Sequence, residues 1–209
     1  DTILHSEDQI KQSANILAPD LRGYKPSNIL VAGKTGAGKT LTIRYTTQKL
    51  IEIAEKGAIP LKTIYINCKL KRSADTEYRL IAQLARELGK SIPPTGLPTE
   101  EVYKSFFKAL NRQNQNYILI LDEIDQLVDK TGDNALYNLT RINEEQTESQ
   151  ISIIGISNNL MFVDGLDPRV RSSLSEEEIL FPPYNALQLQ AILRQRAEAS
   201  FKKDAIEQG

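Results

Sequence analysis

The stretch that constrains this chain most runs from Gly33 to Thr40 and has the pattern G-x-x-x-x-G-K-T. Glycines in such a loop let backbone N–H groups turn inward around a phosphate, and the helix that follows adds partial positive charge. Lys39 would reach the β- and γ-phosphates of a nucleotide, and the Thr40 hydroxyl would ligate Mg²⁺. The phosphate-binding residues expected from the pattern are Gly33, Lys34, Thr35, Gly36, Ala37, Gly38, Lys39 and Thr40.

The flanking sequence supplies the strand and the helix that this loop requires. Residues 28–32 form an apolar run of strand length directly before it. Apolar side chains then recur at helical spacing after it, and Gly57 is a plausible stop. That helical stripe consists of Ile43, Thr47, Leu50, Ile51 and Ala54.

Composition excludes some classes of protein and of metal site but does not identify the function. The 209 residues suit one large domain, or one domain with a small second piece, and 40% of them are hydrophobic. The net charge of −1 does not indicate nucleic-acid binding by bulk charge. Cys68 and His5 are single, so an internal disulfide and Cys- or His-cluster metal sites are excluded, and we expect an intracellular, reducing compartment. Apolar runs are too short to span a membrane, and we expect the chain to be a piece of a longer protein.

Strands and helices alternate along the rest of the sequence, which predicts a parallel α/β sheet. In such sheets ligands lie at the carboxyl ends of the strands. A capping box from Ser6 to Gln9 predicts the first helix, which Pro19 should kink or end. The further predicted strands are Leu61–Leu70, residues 117–121, residues 151–156 and residues 178–181. The further predicted helices are Thr76–Leu88, one capped by Thr99, one over about Asn134–Glu145, and one that begins at Asn185.

Polar side chains follow the predicted buried strands. Asp122 and Glu123 come directly after residues 117–121, where Asp122 would hold Mg²⁺ and Glu123 would activate a water against the γ-phosphate. Asn158 follows the next strand, and its amide could hydrogen-bond the γ-phosphate and that water, although a turn role is the alternative. Arg169 and Arg171 lie in a later loop, where they are either surface residues or donors to a neighbour's γ-phosphate.

With these residues in view, the chain resembles an AAA+ ATPase of the initiator clade. More narrowly, it is similar to archaeal origin-recognition proteins related to eukaryotic origin recognition complex subunits and to the helicase-loading factor of cell-division control. The fold that this implies is a three-layer α/β/α P-loop ATPase base with a parallel sheet over residues 1–184, followed at 185–209 by the start of a helical lid. The segments that carry the resemblance are 4–5, 7–10, 16–19, 21–23, 25–28, 33–40, 65–68, 119–125, 154–158, 166–170 and 181–185.

The resemblance also implies roles for individual residues. Leu4 and His5 fall where the family covers the adenine, and Tyr184 lies at the hinge beside the expected adenine pocket. Arg196 on the first lid helix would face the same nucleotide from near the buried face. Asn158 matches the sensor-one position, and Arg169, with Arg171 second, is the candidate arginine finger.

DNA contact is implied by the family's insertion in the second β/α unit, which corresponds to about Ser73 to Pro98. Its tip includes the Pro94–Gly96 region, and Lys71, Arg72 and Arg79 could meet phosphates there. Lys62 and Lys69 extend the same basic patch, and charge alone favours an ordinary solvated surface there. The family's main DNA reader, a C-terminal winged helix, does not fall within these residues.

The function expected from the resemblance is that of an ATP- and Mg²⁺-dependent module of a DNA replication initiator. It would bind ATP or ADP, hydrolyse ATP slowly as a switch, recognise origin DNA, and help to load the replicative helicase with other initiator subunits. A cytoplasmic, nucleoid-associated location follows from these partners. Two alternatives stay open on the sequence: another DNA-associated AAA+ loader or motor, and a nucleotide-gated binding module with negligible hydrolysis.

Overall fold

The computed structural model of the chain describes residues 6–22, 24, 27–70, 76–93, 95–113, 115–145 and 149–200. Short 3-10 helices cover Ala18–Arg22, Asn111–Gln113 and Phe162–Gly165. The strands are β1 (Ile29–Gly33), β2 (Leu61–Asn67), β3 (Asn116–Asp122), β4 (Ile151–Ser157) and β5 (Glu177–Phe181). The helices are α1 (Glu7–Leu17), α2 (Lys39–Lys56), α3 (Glu77–Glu87), α4 (Thr99–Leu110), α5 (Ile124–Thr131), α6 (Asn134–Thr140), α7 (Ile142–Glu145), α8 (Pro168–Leu174) and α9 (Ala186–Ser200).

The strands pair in the order β2-β3-β4-β1-β5, and each pairing is parallel. In β3 and β4 nearly every residue is buried, as expected of strands covered on both faces, whereas the edge strand β2 alternates. Because β1 lies beside β4 and β4 beside β3, the carboxyl ends of these three strands meet at one edge of the sheet. Parallel α/β sheets bind ligands at this edge.

Helices cover both faces of the sheet, which confirms the predicted three-layer α/β/α class. On one face, α1 and α2 pack Leu17, Ile43 and Leu50 against Ile29, Val31, Ile118, Ile120 and Ile154. On the other face, α3 to α8 pack against the opposite side chains of the same strands. The buried side chains there include Leu80, Leu84, Phe106, Leu127, Leu136 and Val170. The two apolar layers hold the site edge rigidly.

Several predicted boundaries were wrong by a few residues. The strand expected to reach Leu70 ends at Asn67, because its register with β3 ends at the pair Asn67 and Asp122. The helix expected over about Asn134–Glu145 is divided into α6 and α7, with Arg141 in αR conformation between them. Pro19 ends α1 as predicted, and the chain continues as a 3-10 helix.

Neither of the two helix caps expected from the sequence, at Ser6 and Thr99, has the predicted form. Ser6 precedes α1, but its side chain makes no capping hydrogen bond and lies instead 3.4 Å from the Tyr184 hydroxyl. Thr99 is the first residue of α4, so that Pro98 is the N-cap. Thr76 caps α3 through its side chain, which accepts the backbone N–H of Arg79 at 3.2 Å.

Helix α9 packs little against the sheet domain. Leu187, Leu189 and Leu193 are exposed. This exposure fits the expected start of a second, helical piece from residue 185. Among the described residues, no helix is long and apolar enough to cross a membrane.

A buried carboxylate lies near the amino-terminal ends of the strands, at the sheet edge opposite the site. Asp20 is 2% exposed, and among the described residues neither of its carboxylate oxygens has a hydrogen-bond partner. The Asn116 side chain donates to its backbone carbonyl at 3.4 Å. Burial raises the pKa of Asp20 from 3.8 to about 7, because the charged form loses its solvation.

This buried acid predicts a pH-dependent stability. The folded chain keeps a proton on Asp20 up to about pH 7 while the unfolded chain releases it near 3.8, so this group lowers stability as pH rises across that window. Asp20→Asn should therefore stabilise the chain at about pH 8 and lose that advantage near pH 4. Urea unfolding across this range measures the difference. Asp129→Asn, at an exposed acid, is the control, and equal pH profiles for both variants would contradict the prediction.

Candidate functional site

The loop between β1 and α2 has the backbone of a phosphate cradle. Gly36 and Gly38 both have φ of 85°, which favours glycine, and Gly38 precedes the first residue of α2. Gly33 is required for a different reason, the close approach of β5. A Cβ at this position would lie 2.6 Å from the Phe181 carbonyl oxygen. The first glycine of the motif thus permits close strand packing, and the later two shape the loop.

Lys39 connects this loop to β4. Its ammonium donates to the carbonyl oxygens of Gly33 at 2.7 Å and Lys34 at 2.9 Å, and to Asn158 Oδ1 at 2.8 Å. All three ammonium protons therefore have acceptors. The residue is only 5% exposed, and burial lowers its pKa, while the charges of Asp122, Asp125 and Glu123 oppose that shift.

Asp122 receives hydrogen bonds from two side chains on different elements. Thr40 Oγ1 donates to its Oδ2 at 2.9 Å, and the Tyr65 hydroxyl donates to the same oxygen at 2.7 Å. The backbone N–H of Glu123 donates to Oδ1 at 3.0 Å. The structure therefore brings together Thr40 and Asp122, which lie far apart in sequence, as the motif reading expected.

Sequence reasoning did not select Tyr65 as a site residue. It lies in the predicted strand Leu61–Leu70 and in the segment 65–68 that carries the family resemblance, but no role was assigned to it. Its hydroxyl reaches Asp122 because β2 pairs with β3. The available signal was a tyrosine inside the predicted strand Leu61–Leu70, which indicates nothing until the strand order is known. Burial raises the pKa of Tyr65 to about 12, and its hydrogen bond to Asp122 adds to the rise.

Glu123 has a strained backbone at the start of α5. Its φ is 55°, a left-handed conformation that costs a non-glycine residue about 1 kcal/mol or more. Its carboxylate lies 3.6 Å from the Lys69 ammonium and is partly accessible to solvent. Asp125 accepts a hydrogen bond from Ser157 at the end of β4 at 3.1 Å.

Tyr184 lies against the phosphate loop. A Cβ on Gly38 would be 2.4 Å from its hydroxyl oxygen, and the Ser6 hydroxyl is 3.4 Å from the same atom. The amino-terminal segment and the end of the predicted ATPase base therefore meet at the start of α2. Leu4 and His5 lie outside the described residues. Arg196 is exposed on α9, which packs little against the sheet domain.

The two candidate arginines are both on the surface of α8. Arg169 donates to both carboxylate oxygens of Asp167 at 3.1 Å, and its guanidinium lies 5.0 Å from the centre of the Tyr137 ring. Its side chain is 71% exposed. Arg171 pairs with Asp164 at 3.2 Å. Within the described residues, neither arginine makes a hydrogen bond to Lys39 or Asp122. Both side chains are exposed to solvent.

The candidate DNA surface is described only in part. Lys69 is exposed, Arg79 is half-buried on α3, and Gly96 is exposed with φ of 104°. Lys71, Arg72 and Pro94 lie outside the described residues. The exposure of Lys62 and Lys69 is compatible with phosphate contact and with an ordinary solvated surface alike.

The donor set of the site fits a magnesium ion that is held together with a nucleotide. Among the described residues no cluster of three or more His, Cys, Asp or Glu side chains could enclose a metal. Thr40 and Asp122 instead offer one hydroxyl and one carboxylate, 2.9 Å apart. Mg²⁺ is commonly bound by one or two carboxylates together with substrate phosphates, so these two residues match its requirement.

Comparison with known proteins identifies the family. A family model described as "AAA domain" matches residues 22–160, well over half of the chain. The chain belongs to the AAA domain family. This membership confirms the expected class, an ATP-binding ATPase domain.

Relatives of this AAA domain narrow the family further. An ORC1-type DNA replication protein 1 from Archaeoglobus fulgidus is 51% identical over 205 residues, which cover 98% of this chain and 49% of the relative. An ORC1-type DNA replication protein from Pyrococcus furiosus is 49% identical over 209 residues and is also 49% covered. The AAA domain thus spans about half the length of these relatives, and within that half the resemblance to archaeal origin-recognition proteins is confirmed.

Solved structures agree with this assignment. The Aeropyrum pernix ORC1 protein, determined in complex with DNA, superposes with a TM-score of 0.91 at 42% identity, over 99% of this chain and 53% of that one. Cdc6p from Pyrobaculum aerophilum has a TM-score of 0.80 at 24% identity over 98% of this chain and 52% of that one, and shows the shared fold. Both confirm the expected AAA+ architecture of the sheet domain.

Lys39→Ala tests the phosphate cradle. The variant loses three charge-assisted donors at the loop, so its affinity for ATP should fall on the order of 100-fold or more. Isothermal titration calorimetry with ATP measures this change. Lys49→Ala is the control, because Lys49 lies on the same helix with its side chain 53% exposed and pairs with Glu52. Unchanged affinity in Lys39→Ala would contradict the assignment of the site.

Proposed function

We propose that this chain is the ATP-binding and slowly hydrolysing AAA+ module of a DNA replication initiator. In the whole protein, this module would act in origin recognition and in loading the replicative helicase. The observation that carries the proposal is the convergence of Lys39, Thr40, Asp122 and Asn158 at one sheet edge. The sequence similarity of the chain to ORC1-type DNA replication proteins supports a role for this ATPase site in replication initiation.

The phosphates of the nucleotide would be held by the loop from Gly33 to Thr40. The backbone N–H groups of the loop and the amino terminus of α2 supply partial positive charge, and Lys39 supplies a full one. Lys39 already lies among oxygen acceptors, so phosphate oxygens can replace carbonyl partners without a large movement. Leu4, His5, Tyr184 and Arg196 would surround the adenine, and the position of Tyr184 over Gly38 supports that arrangement.

Thr40 and Asp122 would hold Mg²⁺ between the protein and the β- and γ-phosphates. The ion, when bound, would neutralise charge that develops on the phosphates during hydrolysis. Within the protein, the hydrogen bond from Thr40 to Asp122 orients the two ligands toward each other. Thr40 lies on α2 and Asp122 on β3, and the packing of α2 against the sheet sets the distance between the two side chains.

Hydrolysis would depend on Glu123 as the general base for the attacking water. Its left-handed backbone turns the residue out of the direction of β3, and its carboxylate is partly accessible, as a base that must reach water requires. Asn158 would sense the γ-phosphate, because its amide oxygen already contacts the Lys39 ammonium. The ion pair of Glu123 with Lys69 supports slow turnover, since it competes with contact between the carboxylate and water.

A neighbouring subunit would complete the site. Arg169, and Arg171 as second candidate, are presented outward from α8, where a guanidinium can stabilise charge on another subunit's nucleotide. We assign residues 1–184 to the ATPase base and 185–209 to the start of the helical lid. The exposed leucines of α9 support this division, because they need a covering that the base does not provide.

Origin DNA, the replicative helicase and other initiator subunits are the proposed partners, and a cytoplasmic, nucleoid-associated location follows from them. The Aeropyrum pernix ORC1 protein was solved with DNA, and at 42% identity its fold is shared here. The local contacts proposed in this chain are Arg72, Arg79 and the Pro94–Gly96 region. They would touch phosphates and deform the duplex without reading bases.

Glu123→Gln separates binding from hydrolysis. The variant keeps the size of the side chain but cannot accept the proton of water, so ATP affinity should be retained while phosphate release falls about 100-fold or more. A phosphate-release assay and a binding titration on the same preparation measure both quantities. Glu101→Gln, at an exposed position on α4, should leave both unchanged. Continued turnover by Glu123→Gln would remove Glu123 from catalysis.

Arg72→Gln combined with Arg79→Gln tests DNA contact in the full-length protein. Each lost phosphate contact should lower affinity for duplex DNA and reduce the slope of log K against log salt by about one. Fluorescence anisotropy over a range of salt concentrations measures both effects. Lys56→Ala, at the far end of α2, is the control. If affinity and slope do not change, this patch is ordinary surface.

A further inference from the structure

Tyr65 contacts the candidate metal ligand from a strand that carries no part of the nucleotide-binding motifs. Its hydroxyl donates to Asp122 Oδ2 at 2.7 Å, and that distance is typical of a short hydrogen bond to a carboxylate. Asp122 is 5% exposed, so its carboxylate depends on protein donors rather than on bulk water. A tyrosine at this position therefore affects the orientation of the residue proposed to hold Mg²⁺.

The acceptor capacity of Asp122 is nearly full. Two carboxylate oxygens offer about four acceptor positions. Thr40, Tyr65 and the backbone N–H of Glu123 use three of them, two on Oδ2 and one on Oδ1. These donors leave about one position, on Oδ1, for a metal ion or for a water bound to it. Without Tyr65, a second position opens on Oδ2, and the orientation of the carboxylate is held only by Thr40 and the backbone N–H of Glu123.

The ring of Tyr65 is itself held in place. The pairing of β2 with β3 sets Tyr65 opposite Ile120, two residues before Asp122. On its outer side the Arg44 guanidinium lies 5.1 Å from the ring centre, within the range of a cation–π contact. Arg44 lies one helical turn after Thr40 on α2, so the helix that bears the first candidate ligand also restrains the tyrosine that orients the second.

We propose that Tyr65 is a positioning residue for Asp122, which it holds in the orientation that binds Mg²⁺ with a nucleotide. This inference rests on the proposed function, since it assigns Tyr65 to the same metal site. Hydrogen-bonding partners of metal ligands typically change metal affinity by about 10- to 100-fold when they are removed. Tyr65 does not touch the nucleotide phosphates in this scheme, so its effect is confined to the Mg²⁺-dependent part of binding.

Tyr65→Phe tests the proposal by removing one oxygen atom. Equilibrium binding of a fluorescent, non-hydrolysable ATP analogue is measured during a Mg²⁺ titration and again in EDTA. The Mg²⁺ concentration for half-maximal tight binding should rise about tenfold, while affinity in EDTA stays unchanged. Tyr117→Phe is the matched control, because Tyr117 lies on β3 and its buried hydroxyl has no hydrogen-bond partner within the described part of the chain.

A double-mutant cycle shows whether Tyr65 acts through Asp122. In an Asp122→Asn background, Tyr65→Phe should cause no further change in affinity for the analogue at saturating Mg²⁺. An equal Mg²⁺ requirement in Tyr65→Phe and the unmodified chain overturns the positioning role, and so does an additive loss in the cycle. If the unmodified chain binds nucleotide with no dependence on Mg²⁺, the proposed metal site itself fails, and that outcome is distinguishable from the first two.

Discussion

The buried ammonium of Lys39 needs acceptors from several parts of the fold, and the arrangement of the site depends on this requirement. A charge that is 5% exposed must have a hydrogen-bond acceptor for each proton, or the folded state carries a large desolvation cost. The acceptors come from the end of β1, from the phosphate loop and from Asn158 beyond β4. The strand order, with β1 beside β4, is what brings them within reach. The same ammonium is the group that a phosphate would engage, so one interaction serves both the fold and the proposed function.

A second network on the neighbouring strands holds the acidic half of the site. Asp122 gathers donors from α2, β2 and the start of α5, and Glu123 adopts a left-handed backbone beside it. Strain of this kind persists only where the surroundings over-determine a conformation, and here two apolar layers clamp the sheet. Cys68 lies close to the same acids, and burial raises its pKa to about 12, so that it remains a small buried thiol. The carboxyl-terminal edge of the sheet therefore carries a few polar side chains between two apolar layers.

Much of this arrangement could be predicted from local sequence. The glycine pattern identifies Lys39 and Thr40. Asp122 ends the apolar run of β3 and Asn158 follows that of β4, and the two lie together because parallel strands end at the same edge.

Helix caps were less predictable. Ser6 has the right residue type for a cap, but its hydroxyl lies beside Tyr184, which is 178 positions away. The role of Arg196 comes from the family resemblance, and helical spacing cannot tell whether another layer covers that helix.

The sequence by itself determined the class of fold, the phosphate loop and the family, because these depend on short-range patterns whose physics is local. Tertiary structure decided which side chains from distant segments meet. Tyr65 joins Asp122 only because β2 pairs with β3 in a register that ends both strands at Asn67 and Asp122. Tyr184 reaches Gly38 only because β5 lies beside β1. Strand order is set by the packing of two apolar faces over the whole sheet, and no single segment of the sequence contains that information.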